Sequence, residues 1–212
     1  MSVLGIDLRA STKKPSAVAI LGSDLKSILL GSFYEDIDLA KVVKQERPQL
    51  IAIGAPLNLP LGFCCLDKSC GCKFAVPNRK GRLLELELAK MGISCFYTSK
   101  GSIMKDLIYR AIRIRNGLEL AGYNVIEVYP HATKILLFGD SVPPKHSLAS
   151  VSYMKDHLVP LVSCINDYAG GLDIYACEAI INAYTGQLHI NSETDVLGDP
   201  REGVLVLPQL PN

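Results

Sequence analysis

Four carboxylates stand where the surrounding residues argue against a free charge. Asp7 ends the short apolar run that begins at Val3, directly after Leu4, Gly5 and Ile6. Burying a carboxylate in such a setting is costly unless a cation or metal answers it. Glu127 lies inside VIEVYP, a segment otherwise suited to a core strand, where a charged residue is rarely without a partner. Glu178 is flanked by Cys177, Ala179, Ile180 and Ile181 on the apolar segment LDIYACEAIINAY, and Asp173 lies near the start of the same segment. Gathered at one edge of a sheet, three or four such groups would bind Mg²⁺ or Mn²⁺, which prefer oxygen ligands. Two metals about 4 Å apart can activate water and stabilise a leaving oxygen in phosphodiester cleavage. The same acids can instead pair with Arg9, Lys134 or backbone groups, and Asp173 can instead face a helix dipole. Spacing alone does not choose between these.

The elements that must position them follow from the hydrophobic pattern. Val3 to Asp7, Ser16 to Leu21 and Leu25 to Phe33 read as closely spaced strands, an antiparallel meander. Asp36 to Gln45 reads as a helix stopped by Pro48, and Leu50 to Ile53 as a buried strand ended by Gly54-Ala55-Pro56. Helices are then expected over Arg79 to Met91 and Ser102 to Ala121, with a strand over Val125 to Tyr129 broken by Pro130. His146 to Cys164 reads as mostly helical with a break at Pro160. Leu172 to Tyr184 reads as a helix ending at Gly186, and Gly203 to Leu207 as a last strand. The β-β-β-α-β opening fits an α/β layer fold with a mixed sheet. In such sheets, sites form over the ends of strands.

The bulk properties narrow the classes. A chain of 212 residues is expected to form one domain over 1–212, with no linker or internal repeat to divide it. A formal net charge of +1 argues against a strongly basic nucleic-acid coat. Arg110, Arg113 and Arg115 with Lys100 and Lys105 make either a local basic patch or a solvated helix face. No stretch approaches the roughly 20 apolar residues needed to cross a membrane. The opening MSVLGIDLRAS lacks an export signal, so a cytoplasmic, reducing compartment is expected.

Read in order, GIDLR, IGAPLNLP, the R-x-x-E-x-E-L pattern from Arg82, Ser102 to Met104, VIEVYPHA, EAIINAYTG and GDPREGVLVLP resemble the domain of unknown function 429 family. That is a family of predicted nucleases of ribonuclease H-like fold. The resemblance spans nearly the whole chain, and VIEVYPHA and GDPREGVLVLP are its most specific pieces. It implies a sheet of five or slightly more strands, the first three antiparallel and the later ones parallel, with helices on both faces. It also implies metal-binding acids from the first strand, the fourth strand and the last helix. Carried onto this sequence, the first is Asp7 and the last is Glu178, with Asp173 as an auxiliary. The fourth-strand acid is missing. The family pattern IDAPL reads IGAPL here, so Gly54 stands where a carboxylate is expected, and Glu127 on the next strand is the candidate replacement.

The resemblance therefore implies a Mg²⁺- or Mn²⁺-dependent nuclease acting on nucleic acid, with Asp7, Glu127 and Glu178 within mutual reach of the metal. If these three acids face different sides of the sheet, that nuclease reading fails. The alternative is a weakened or inactive module that binds nucleic acid or a protein partner, marked by Gly54. An ATPase of related fold is disfavoured, because RASTKKP after Asp7 is not a glycine-rich phosphate loop. Arg9 is a candidate phosphate contact or a partner for Asp7. His131 is a candidate proton shuttle, phosphate contact or hydrogen-bonded helix start. Arg82 and Lys100 suit a lid over the acids.

One feature lies outside the family pattern. The insert at about 61–77 contains FCCLDKSCGCKF, with Cys64, Cys65, Cys70 and Cys72 among the chain's seven cysteines. Thiolates suit Zn²⁺ or iron–sulfur clusters. The C-C, C-x₄-C and C-x-C gaps match a zinc knuckle poorly, since adjacent cysteines do not easily share one tetrahedral ion. A metal site, a disulfide and free thiols all stay open, with Cys95 as a possible further ligand. Cys164 and Cys177 read as small core residues.

Overall fold

The structure is a computed structural model that describes residues 1–139, 141–168 and 171–209. Strands β1 (Ser2–Asp7), β2 (Ser16–Gly22) and β3 (Ile28–Phe33) form the expected antiparallel meander. Helix α1 (Asp36–Glu46) then returns the chain to β4 (Leu50–Ile53), which pairs parallel with β1. Helices α2 (Leu83–Lys90) and α3 (Lys105–Leu120) precede β5 (Val125–Val128), parallel to β4. After α4 (Pro130–Phe138), α5 (Ser150–Leu158) and α6 (Ile174–Ile190) come β6 (Thr194–Asp199) and β7 (Gly203–Pro208). The sheet order is β3-β2-β1-β4-β5-β7-β6. The first three strands are antiparallel and β1, β4, β5 and β7 run parallel, as the resemblance implies, with helices on both faces and an antiparallel edge strand β6 that brings the sheet to seven strands.

Alternation along the strands sorts the core into two layers. Val3, Ala17, Ala19 and Leu21 pack under α5 and α6, through Met154, Leu158, Cys177, Ile180 and Ala183. Leu4, Ile6, Val18, Ile20, Ile51 and Ile53 pack under α1 and α3, through Leu39, Val43, Ala111 and Ile114. The small residues of the first set let α6 approach the sheet closely. Asp7 belongs to that odd-numbered set, so its side chain leaves the strand on the α6 side.

Five elements differ from the sequence reading. Pro130 stops β5 as expected and also begins α4, a helix that the sequence reading does not place. Its missing N–H is no loss at the first helical position, where no partner exists for it. Helix α2 starts later than Arg79, because Arg82 is its N-cap. Helix α5 stops at Leu158, before Pro160, and Ser163–Tyr168 form a separate 3₁₀ segment. Helix α6 runs through Gly186 to Ile190: a Cβ there would meet Val3 Cγ1 at 2.6 Å, so this glycine serves close packing rather than a helix end. Strand β6 was not expected from TDVLGD, which lacks an apolar alternation.

Candidate active site

The end of β1 and the first half of α6 bring two carboxylates together. Asp7 is 5% exposed and Glu178 is 2% exposed. Lys145, from the loop between α4 and α5, places its ammonium 3.1 Å from both Asp7 oxygens and 3.9 Å from Glu178 Oε2. Lys134 on α4 donates to Glu178 Oε1. The Arg9 guanidinium lies 4.2 Å from the centroid of the Tyr175 ring, and Lys145 Nζ lies 5.1 Å from the same centroid. His131 is half-buried on the first turn of α4. Desolvation, then the Lys134 charge, holds its pKa below the ordinary value, while Glu178 opposes them. Two acids, three cations and a neutral imidazole thus share one region.

Burial raises the Asp7 pKa from 3.8 to about 6, with Glu178 adding to the rise and Lys145 and Arg9 opposing it. The folded protein therefore binds this proton more tightly than the unfolded chain. The stability that follows is full below pH 3.8 and is lost as pH rises through 6. The loss is of order 3 kcal/mol, at about 1.4 kcal/mol for each pKa unit. Asp7→Asn cannot ionise and escapes it. Denaturant titrations without added divalent cation are expected to show Asp7→Asn gaining on wild type from pH 4 to pH 7.5. A pH-independent difference would mean that Asp7 ionises without strain.

Gly54 lies beside Asp7 in the sheet, since Ile6 pairs with Ile53 and Gly54 N–H donates to the Ile6 carbonyl at 3.0 Å. The volume of the missing side chain is filled from α6. A Cβ on Gly54 would lie 2.5 Å from Asn182 Nδ2, and that amide donates to the same Ile6 carbonyl at 2.8 Å. Asn182 Oδ1 is buried and has no hydrogen-bond partner among the described residues. Gly54→Ala is expected to destabilise by about 1–3 kcal/mol, as other overpacked cores do. Thermal melts read this, and the added substitution Asn182→Ser should recover most of it. A Gly54→Ala protein as stable as wild type would show that the amide yields freely.

Glu127 does not join the pair, which corrects the expectation that it replaces the fourth-strand acid, and the three-acid metal site that the resemblance implies fails with it. It sits beside Ile53 in the parallel register, so it leaves the sheet on the α2 and α3 side. There it accepts two bonds from Arg82, at 2.8 and 2.6 Å, and one from the Leu57 N–H at 2.7 Å. Arg82 is 1% exposed and also binds Glu85 at 3.0 Å, so it is a buried linker rather than a substrate contact in a lid. Glu85 accepts further bonds from the N–H and hydroxyl of Thr98, at 2.8 and 2.5 Å. Asp173 is the N-cap of α6, accepting from Ala176 N–H at 2.8 Å, a role worth about 1 kcal/mol. Lys100 donates to the Cys70 carbonyl and so belongs to the cysteine loop.

The suggested basic patch is also answered internally. Arg110 is buried against Asp36 and the Arg9 and Tyr34 carbonyls, Arg113 pairs with Asp36, and Lys105 pairs with Asp67.

No protein-family model matches the chain, and no curated protein does. The resemblance to the domain of unknown function 429 family rests on its motifs alone. Among solved structures, the chain is similar to the Thermus thermophilus RuvC structure, with a TM-score of 0.45 and 13% identity over 91% of this chain and 97% of that one. A likeness that loose transfers neither a residue nor an activity.

Sequence reasoning missed Lys145, Asn182 and Tyr175. Asn182 and Tyr175 had a usable signal: they lie one turn on and about one turn back from Glu178, on the same side of α6. Lys145 had none, because its loop carries no periodicity.

Proposed function

We propose that this chain is a divalent-cation-dependent phosphodiesterase acting on nucleic acid, with Asp7 and Glu178 holding one Mg²⁺ or Mn²⁺. The observation that carries the reading is the cation position the two acids share. The Lys145 ammonium is in reach of both carboxylates, so a positive charge is stabilised between them. Oxygen donors suit a hard cation there, and the unpartnered Asn182 Oδ1, one turn along α6, adds a neutral oxygen to the region. The donor set fits one ion rather than two, since Glu127 and Gly54 supply nothing to it. The ion would supply Lewis acidity at a phosphoryl oxygen.

The chain's own residues take the other roles. Lys145 is 31% exposed at its side chain and leaves the carboxylates for a phosphate oxygen. Arg9, backed by Tyr175, offers a fork of donors to the same group. His131, neutral at pH 7, accepts a proton. No helix among the described residues is long and apolar enough to cross a membrane.

A second reading has its own support. Gly54 with Asn182 packed against it leaves the fourth strand without an acid, which favours a module that binds nucleic acid or a protein without cutting. The deciding experiment is cleavage of single-stranded, duplex, branched and RNA–DNA hybrid substrates with Mg²⁺ or Mn²⁺. Metal-dependent cleavage by wild type supports the phosphodiesterase. Retained binding without turnover on any substrate supports the module.

A further inference from the structure

Residues 54–82 contain neither helix nor strand. A segment of that length inside a compact fold needs something to hold it. Part of the answer is local packing. Leu66 is fully buried, its N–H donates to Tyr109 Oη at 2.7 Å, and its carbonyl accepts from Gly101 N–H at 2.9 Å. The Phe63 and Phe74 rings meet with centroids 4.4 Å apart. Ala55, Leu57 and Pro60 are buried at its start, but between residues 61 and 77 Leu66 is the only buried residue.

The four cysteines of the loop converge. Asp67 to Cys70 form a turn, closed by Cys70 N–H donating to the Asp67 carbonyl at 3.1 Å, which folds the second pair of thiols back over the first. The Sγ atoms of Cys64, Cys65, Cys70 and Cys72 all lie within 4.8 Å of one another, and Cys64 and Cys70 approach to 3.5 Å. All four are free thiols. The adjacency of Cys64 and Cys65, which made the spacing look unsuitable, does not keep their sulfurs apart.

We propose that Cys64, Cys65, Cys70 and Cys72 hold a single zinc ion as a tetrahedral tetrathiolate. A tetrahedron with Zn–S arms of about 2.3 Å has edges of about 3.8 Å, so closing onto an ion takes shifts of about 1 Å at most. An iron–sulfur cube would hold the same four sulfurs farther apart, with the cluster between them. Sulfur-only ligation favours a soft or borderline ion over Mg²⁺ or Mn²⁺. On binding, the four thiol protons pass to solvent as four Zn–S bonds form, and Cys72 gives up its 3.6 Å contact with the Cys65 carbonyl. No oxidant or reductant is needed. The bound centre carries net negative charge. Lys73, Lys80 and Lys100 line one cleft with Cys72, and Lys100 already donates to the Cys70 carbonyl. The ion would brace the loop, and its binding energy would count as folding energy. This site shares no residue with the Asp7–Glu178 pair and stands whether or not that pair is catalytic.

The test is metal analysis of the full chain purified under reducing conditions without chelator. About one zinc per chain is expected, falling severalfold in Cys70→Ser and in Cys72→Ser. Because a variant can fail to fold, wild type is also reconstituted with Co²⁺. The visible d–d bands and thiolate-to-cobalt charge transfer of a tetrahedral sulfur site are expected. Loop thiols that titrate freely with no bound metal, loop thiols paired as disulfides in the unreduced protein, or iron in place of zinc would each overturn the assignment.

Discussion

Asp7→Asn is expected to lower metal-dependent cleavage by roughly 100-fold or more, since removing even an outer partner of a metal ligand costs 10- to 100-fold. The fold should survive, because the substitution is nearly isosteric and Asp7 carries a desolvation cost that asparagine avoids. Glu178→Gln should fall as far, as Glu178 is the other carboxylate beside the same cation position. Glu127→Gln should retain at least about a third of wild-type rate, because its carboxylate faces the opposite side of the sheet. Single-turnover cleavage of whichever substrate wild type cuts would check all three. Equal losses in Glu127→Gln and Asp7→Asn would return Glu127 to the site and contradict the two-acid arrangement.

The largest effect on stability is expected at Arg82. Burial opposes its charge, but Glu127 and Glu85 outweigh that penalty and hold the guanidinium pKa above its ordinary value. Arg82→Ala leaves two buried carboxylates without their cation. Breaking a buried pair in this way costs about 3–5 kcal/mol. Equilibrium denaturation should show that loss. Arg82→Met paired with Glu127→Met should be milder than Arg82→Ala, since it removes one of the stranded charges and keeps apolar volume. A loss under about 1 kcal/mol in Arg82→Ala would mean that water replaces the guanidinium and that the network bears little of the fold.

Much of the fold was legible because its first half obeys simple periods. The short apolar runs of β1 and β2 and the stops at Pro48 and Gly54 fix β1 to β4 with α1 between them. Later elements failed for identifiable reasons. Pro130 can end a strand or begin a helix, and here it does both. Strand β6 is an edge, with Val196 52% exposed, so burial never imposed an apolar alternation on it.

The site was half legible. Asp7 and Glu178 stood out as charges in apolar surroundings, and so did Glu127. What sequence could not supply was the register that puts Glu127 level with Ile53. A shift of one residue would have turned it to the other face. Arg82 was visible, but its partner lies 45 residues away. The cysteines show the opposite case: an unpromising spacing becomes compact once a turn at 67–70 folds it.

The proposed cation site is built by Asp7 and Glu178 alone among the acids of the described residues. Mn²⁺ titration of the full chain, followed by electron paramagnetic resonance of the free ion, tests it most directly. One bound Mn²⁺ per chain is expected in wild type and in Glu127→Gln, with loss of that site in Asp7→Asn and in Glu178→Gln. Wild-type binding by Asp7→Asn, or loss of binding in Glu127→Gln, would contradict it.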